Sequence, residues 1–345
     1  MSNLFLRQIA EMVPLSIYRF IIKRKVLGLY YHAVSDESLS HIKHLYPYKS
    51  TMMFENDLIY LSKNFNLISY EQLLDDYHGG NPLKPNSIIL TFDDGLSECY
   101  SVARPLLLKY NIPAIFFIPT DYIDNHRMFL DHKASLCIDM AISCDTHTLQ
   151  DRLNTVNETF GTEFSDLYRL EQWIKSLAHN ENAIIDILCQ LWGIDEKHYL
   201  KMQRPYMSSD EIKQLAYDGF TIGAHSVSHQ RLASLNEIEI ENDITVACKE
   251  IMSLTKKTQV PFAFPFSAEG VSRDVLFRIR QKHQSVGLFF ATNGISSDRD
   301  FVYSRMCGDW PNISDPNSTN LPNILARAYH ENLSTKVRRM FKSIR

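Results

Sequence analysis

The sequence predicts an α/β fold: a distorted (β/α) barrel of about seven strands with a helical insertion. Three observations predict it. Short apolar runs of strand length alternate with segments whose apolar residues recur at helical spacing. The alternation lapses between about 121 and 205 and then resumes. Three of the runs end in acids or histidines, as barrel strands do where they open onto a site.

The elements follow in order. Residues 1–25 read as an amphipathic helix, because Arg7, Glu11, Pro14 and Arg19 interrupt the apolar residues and Lys23-Arg24-Lys25 follows them. That order does not fit a secretory signal. The helix is expected to pack on its own protein; the alternative is that it rests on an anionic membrane surface. Val26-Leu27-Gly28-Leu29-Tyr30-Tyr31 is a buried strand with His32 at its exit. Phe54, Leu58, Leu61 and Phe65 mark a helix over 54–66. Leu67-Ile68-Ser69 is a brief strand, and a helix runs from Tyr70 to Tyr77. His78-Gly79-Gly80-Asn81-Pro82 breaks the chain. Ser87-Ile88-Ile89-Leu90-Thr91-Phe92 then climbs into Asp93-Asp94-Gly95. A helix over 97–110 and the strand 114–118 complete a parallel βαβ unit.

In the insertion, 121–205, Leu167, Leu170, Trp173, Ile174 and Leu177 share one helical face. Ile184, Ile185, Leu188, Leu191 and Trp192 share another. An insertion of this size is large enough to roof a site or touch a substrate. The alternation returns with a capping box at Ser208–Glu211 and strands at 220–224, 260–264, 286–290 and 301–305. The organisation is therefore an N-terminal helix (1–25), a barrel (26–310) interrupted by 121–205, and a basic helical tail (311–345) containing Lys336, Arg338, Arg339 and Lys342.

The 345 residues are 45% hydrophobic and 22% charged, with net charge −4, which suits a globular chain and gives no reason to expect a nucleic-acid partner. The six cysteines are scattered without a C-x-x-C pair, which predicts reduced thiols in a cytosol-like compartment. No apolar run reaches the roughly 18–20 residues that span a bilayer.

Two stretches carry the chemistry. Adjacent carboxylates such as Asp93 and Asp94 repel unless a cation or a shared proton relieves them. His225 and His229 stand at i and i+4 just past a strand; a helical turn there would aim both imidazoles one way. With one carboxylate of the pair they make a two-histidine, one-carboxylate set, which suits a Zn²⁺-like ion with a place left for water. Neighbouring side chains in a strand point to opposite faces, so dividing the acids between two jobs needs a twist at the strand exit. Gly95 gives the freedom for that turn. Spacing alone does not say which acid does which.

Thr91-Phe92-Asp93-Asp94-Gly95 and His225-Ser226-Val227-Ser228-His229 together resemble the polysaccharide deacetylase (NodB-homology) family, carbohydrate esterase family four, over roughly 26–120 and 206–310. The resemblance implies a distorted barrel that removes N- or O-acetyl groups from glycans with a divalent metal: Zn²⁺ first, or Co²⁺, Ni²⁺ or Mn²⁺. It implies Asp93 as general base and Asp94, His225 and His229 as ligands. Pro261-Phe262-Ala263-Phe264-Pro265-Phe266 resembles the third family motif, which implies the Phe266 N–H as oxyanion donor.

Many members carry an arginine early in that motif to hold the base. None stands here; Arg305 is a candidate substitute, with a structural ion pair as its other reading. No late L-x-H motif matches, and His330 reads as a surface residue of a helix. Tyr31-His32 is similar to the poly-N-acetylglucosamine deacetylase branch, which implies His32 as general acid. Asp309-Trp310 is thinly similar to a fourth motif, in which an aspartate tunes the acid and a tryptophan lines the pocket. His126, Asp131, His132, Tyr31 and the insertion's tryptophans receive no role.

Three other functions compete. A two-carboxylate glycosidase needs acids about 5 Å or more apart across the bond, which neighbours suit poorly. A non-haem iron oxygenase shares the ligand set, but its usual host is a β-sandwich. An inactive glycan-binding protein gains weight from the missing motif arginine. The expected partner is an acetylated glycan or lipid-linked sugar, in the cytoplasm or peripheral to the inner membrane face.

Overall fold

Continuous apolar runs, not alternating ones, make the strands here, because a parallel strand between a barrel core and a helical layer is covered on both faces. In β3 (Ser87–Phe92) and β7 (Val286–Ala291) all six residues are buried. The computed structural model describes residues 13–22, 25–177, 182–296, 298–315 and 317–343. The other strands are β1 (Val26–Tyr31), β2 (Asn66–Leu67), β4 (Ile115–Ile118), β5 (Thr221–Ala224), β6 (Val260–Ala263) and β8 (Val302–Cys307).

The sheet order is β1-β8-β7-β6-β5-β4-β3-β2, and β1 also pairs with β3. That pairing runs in parallel register from Val26↔Ser87 to Tyr31↔Phe92 and closes a ring of seven strands. The two-residue β2 meets only Ser87 and Ile88 and stays outside the ring, too short to form a stave. The barrel is distorted: Ala224↔Phe262 is the only β5–β6 partner pair, and the β6–β7 register slips between Val260 and Phe262.

Between β4 and β5 the chain leaves the barrel. Helices Leu130–Ile142, Thr146–Phe160, Leu167–Ser176 and Asn182–Leu191 pack around a core of their own that includes Ile138, Val156, Leu170, Ile174, Ile185, Leu188 and Trp192, whereas the helix Glu196–Gln203 that follows buries Leu200 in the barrel's core. Trp173 packs against that core through Phe160 and Phe164, whereas Leu191, on the same expected face as Leu188, is 40% exposed. The six cysteines are free, and within this bundle the Cys137 and Cys189 sulfurs lie 3.7 Å apart.

The terminal segments meet. Helix Leu15–Ile21 buries Tyr18 against Tyr329 and His330 of helix Leu321–Ser343. His330 is therefore half-buried and bonded to the Tyr18 hydroxyl at 3.2 Å, which corrects its reading as a surface residue. Residues 1–12, Lys23, Arg24 and the side chains of Lys336, Arg338, Arg339 and Lys342 lie outside the described residues. Among the described residues, no helix is long and apolar enough to cross a membrane.

Candidate active site

The C-terminal strand ends deliver the reactive groups. His32 follows β1, Asp93 and Asp94 follow β3, His225 follows β5 and Phe266 lies just beyond β6. All of them, with His229, line one cavity of about 350 Å³. Of the residues left without a role, Asp131 and His132 also line it; Tyr31, His126, Trp173 and Trp192 do not.

The two acids part at the strand exit. Asp93 is buried beside Arg305, which reaches it with two nitrogens at 2.6 and 2.9 Å and bonds the Thr91 hydroxyl at 2.8 Å. This fork is the strong bidentate form of an arginine–carboxylate pair. Arg305 is wholly buried in β8 opposite Gly28, where an added Cβ would sit 2.6 Å from the Arg305 Cγ; glycine leaves room for the stem. The guanidinium lies 5.1 Å from the ring centroids of both Tyr30 and Phe117. The last strand thus sets an arginine against Asp93, where the third motif offers none.

Asp94 faces the other way. The turn that separates it from Asp93 starts at Asp94 itself (φ 69°) and continues through Gly95 (φ 64°), so glycine supplies only its second half. The Asp94 Oδ1 lies 3.1 Å from His229 Nε2 and 3.5 Å from His225 Nε2, and it is buried without a hydrogen-bond partner. The ligand atoms of these three residues all lie within 4.8 Å of one another. His225 Nδ1 lies 2.9 Å from the Ala263 carbonyl, which can only accept, so Nδ1 carries the proton and Nε2 keeps its lone pair toward Asp94.

The histidine segment is not helical. Left-handed residues at Ser226 (φ 66°) and His229 (φ 53°) make a tight turn, closed by the His229 N–H donating to the Ser226 hydroxyl at 2.8 Å. The imidazoles converge through this turn instead of an i, i+4 helical face. A buried carboxylate oxygen lies 3.1 and 3.5 Å from two imidazole Nε2 atoms, so one oxygen and two nitrogens converge on one point. The donor set fits a divalent ion.

His32 is held on the opposite wall. Asp309, wholly buried, accepts from its backbone N–H at 3.1 Å and from its Nδ1 at 2.6 Å. Burial pushes the imidazole pKa down, but the charges of Asp309 and Asp94 outweigh it and lift it to about 9. The Asp309 carboxylate on Nδ1 thus favours the protonated ring. Trp310, beside Asp309, is 55% exposed and turned away from the cavity.

Other groups carried no sequence signal. The Tyr46 hydroxyl donates to Asp94 Oδ2 at 3.0 Å, and its ring stacks on His32 at 4.4 Å. Phe129, from the start of the insertion, stacks on His229 at 4.7 Å and on Tyr206 and His132. Each lies on a loop whose spacing to the motifs is arbitrary; only folding makes them neighbours. Beneath the site, Lys49 forms a buried pair with Asp57, which also accepts from the Tyr31 and Thr319 hydroxyls.

Acids and imidazoles gathered at the mouth of a parallel barrel are groups that a hydrolytic site uses. A sequence profile described as polysaccharide deacetylase matches residues 80–286. The chain belongs to that family. It is 25% identical over 99 residues to the poly-beta-1,6-N-acetyl-D-glucosamine N-deacetylase of Escherichia coli (strain K12), a match that covers 28% of this chain and 14% of that protein. Among solved structures, the Streptococcus pyogenes deacetylase PplD in complex with acetate superposes with a TM-score of 0.52 at 13% identity, covering 82% of this chain and 92% of that one. IcaB from Ammonifex degensii gives 0.51 at 15% identity, covering 88% and 97%. At these identities the two structures speak for the shared fold.

Proposed function

We propose that this chain removes acetyl groups from N-acetylated sugar units of a glycan, using a divalent ion held by Asp94, His225 and His229. The observation that carries the reading is the buried, unpartnered Asp94 Oδ1 set against the two imidazole Nε2 atoms. A bound ion, with zinc first among zinc, cobalt, nickel and manganese, would supply a water acidified from ~15.7 toward ~7 and polarise the acetyl carbonyl.

The chain's own residues do the rest. Asp93, oriented by the Arg305 fork, takes the proton of the attacking water. The Phe266 N–H, on a left-handed backbone (φ 57°) at the cavity wall, donates to the oxyanion that forms. Such a donor typically contributes about 3 kcal/mol. His32 gives its proton to the departing nitrogen as the C–N bond breaks, leaving acetate and a free amine. Asp309 holds the imidazolium in place for that transfer.

Arg305 also bears on the alternatives. The inactive glycan-binding reading drew its weight from the missing motif arginine, and the Asp93–Arg305 fork supports an active base instead. The resemblance of Tyr31-His32 to the poly-N-acetylglucosamine branch supports an N-acetylglucosamine unit. A lipid-linked or precursor sugar on the cytoplasmic side is the narrower proposal. Exposed Ile17, Phe20 and Ile21 support contact of the N-terminal segment with a membrane face. Recovery of the protein outside the cytoplasmic and inner-membrane fractions would end that narrower reading.

The test is acetate release from a panel of N-acetylated oligosaccharides, with metal analysis. Chelation abolishes release and added Zn²⁺ restores it; His225→Ala loses both metal and activity. His32→Ala keeps its metal and loses release from amides, yet cleaves an activated aryl acetate, whose leaving group needs no proton. Full activity in metal-free protein overturns the reading.

A further inference from the structure

We propose that Tyr46 is a positioning residue that decides which oxygen of Asp94 is free to bind the ion and holds the His32 ring across from it. The inference rests on the metal reading above and deepens it. Two contacts of one side chain carry it: the hydroxyl donates to Asp94 Oδ2 at 3.0 Å, and the ring stacks on His32 with centroids 4.4 Å apart and planes 28° apart. Tyr46 lines the same cavity as the residues it touches.

A carboxylate has two oxygens and about four lone-pair sites, and it can bind an ion through one oxygen or both. Here the oxygens are told apart. Oδ2 is engaged by the phenol, while Oδ1 is buried, unpartnered and turned to His225 and His229. With Oδ2 so engaged, Asp94 would offer a bound ion Oδ1 alone. Hydrogen bonds of this kind orient a ligating carboxylate and tune its affinity.

The loop that carries Tyr46 is braced for the task. On its near side the Tyr48 hydroxyl accepts from Leu39 N–H at 2.9 Å and donates to the Glu37 carbonyl at 3.0 Å. On its far side Ser35 N–H donates to the Lys49 carbonyl at 2.9 Å, and the Lys49 side chain is fixed in its buried pair with Asp57. A side chain on so pinned a loop arrives already oriented, which a supporting group requires. The stack does the same for His32: Asp309 sets its in-plane position and Tyr46 covers one face.

The test is titration of full-length protein with Co²⁺, read by its visible absorption and by competition with a chelator, alongside Tyr46→Phe and Tyr46→Leu. Tyr46→Phe keeps the stack and removes only the hydroxyl. It is expected to bind Co²⁺ about 10- to 100-fold more weakly and to shift the visible band. Tyr46→Leu shows the same loss and a further drop in kcat on amide substrates, because the His32 ring loses its cover. A Tyr46→Phe protein that binds Co²⁺ within about twofold of wild type, with a superimposable band, overturns the inference while leaving the deacetylase reading intact. Wild-type protein that binds no Co²⁺ overturns both.

Discussion

The two ends of the barrel hold cavities of different size and character. At the N-terminal ends of the strands a space of about 670 Å³ is lined by Tyr70, Tyr77, Phe220, Arg280 and Val286, among others. At the C-terminal ends the space is about 350 Å³ and holds the acids and imidazoles. In the larger space the tyrosines serve the scaffold: the Tyr70 hydroxyl accepts from Leu288 N–H at 3.0 Å, and the Tyr77 hydroxyl accepts from Arg280 at 2.9 Å. In the smaller one a carboxylate oxygen is left bare. Volume marks where helices splay from a sheet. Each lining includes a buried polar atom without a partner, Arg280 Nε in the larger and Asp94 Oδ1 in the smaller, but the latter is a carboxylate oxygen set against two imidazoles, the arrangement that suits a cation.

Substitutions at the two ends should therefore differ in kind. The largest effect is expected for Asp93→Asn, which removes the proposed base but keeps the size: kcat for acetate release falls by about 10²- to 10⁴-fold while metal content stays at the wild-type level. Loss of metal along with activity would move Asp93 into the ligand set. Arg305→Met comes next. It leaves Asp93 buried and uncompensated, which should lower unfolding free energy by about 3–5 kcal/mol in urea titrations. Adding Asp93→Asn to it should recover much of that loss; a strictly additive double variant would show that the fork is not a coupled pair.

At the other end, Tyr70→Phe strands the Leu288 N–H in a buried strand. The expected cost is about 1–3 kcal/mol of stability, with kcat and KM unchanged. A change in KM would instead make the larger cavity part of the substrate path. The smallest effect concerns His41, which packs against His132 behind the active cavity, with ring centroids 5.3 Å apart. Burial holds its pKa down at about 4, against ~6.5 in the unfolded chain. The unfolded state thus binds more protons between those values, so the stability linked to neutral His41 is present above about pH 6.5 and fades as pH falls toward 4. His41→Phe should flatten that acid limb of the urea midpoint between pH 7 and 5, and an unaltered limb would assign it to other groups.

The alternation of apolar runs was enough to place every stave of the barrel within a residue or two. Apolar strands buried on both faces and one-sided helices write their burial into local spacing. For the same reason the helical insertion was legible as helices, although the exposure of Leu191 was not. The paired acids of 93–94 and the histidines of 225 and 229 were legible because a candidate ligand set is a matter of residue type at strand ends. The different surroundings of the two acids were not. Spacing left Asp93 and Asp94 equivalent, and a helical turn was expected at 225–229 where two left-handed residues make the turn instead.

Tertiary structure alone decided what lies 200 residues apart in the chain and within hydrogen-bond reach in space. Arg305 meets Asp93 because the ring closes β8 beside β1 and β1 beside β3. Asp309 meets His32 through the same closure, and Tyr46 meets Asp94 through a loop with no periodic signal. Local pattern by itself determined the strands, the helices and the kinds of reactive group, since those depend on neighbours within a few positions. Which acid is gripped by a guanidinium and which is left bare depends on the register at which the barrel shuts, and no short stretch of sequence contains it.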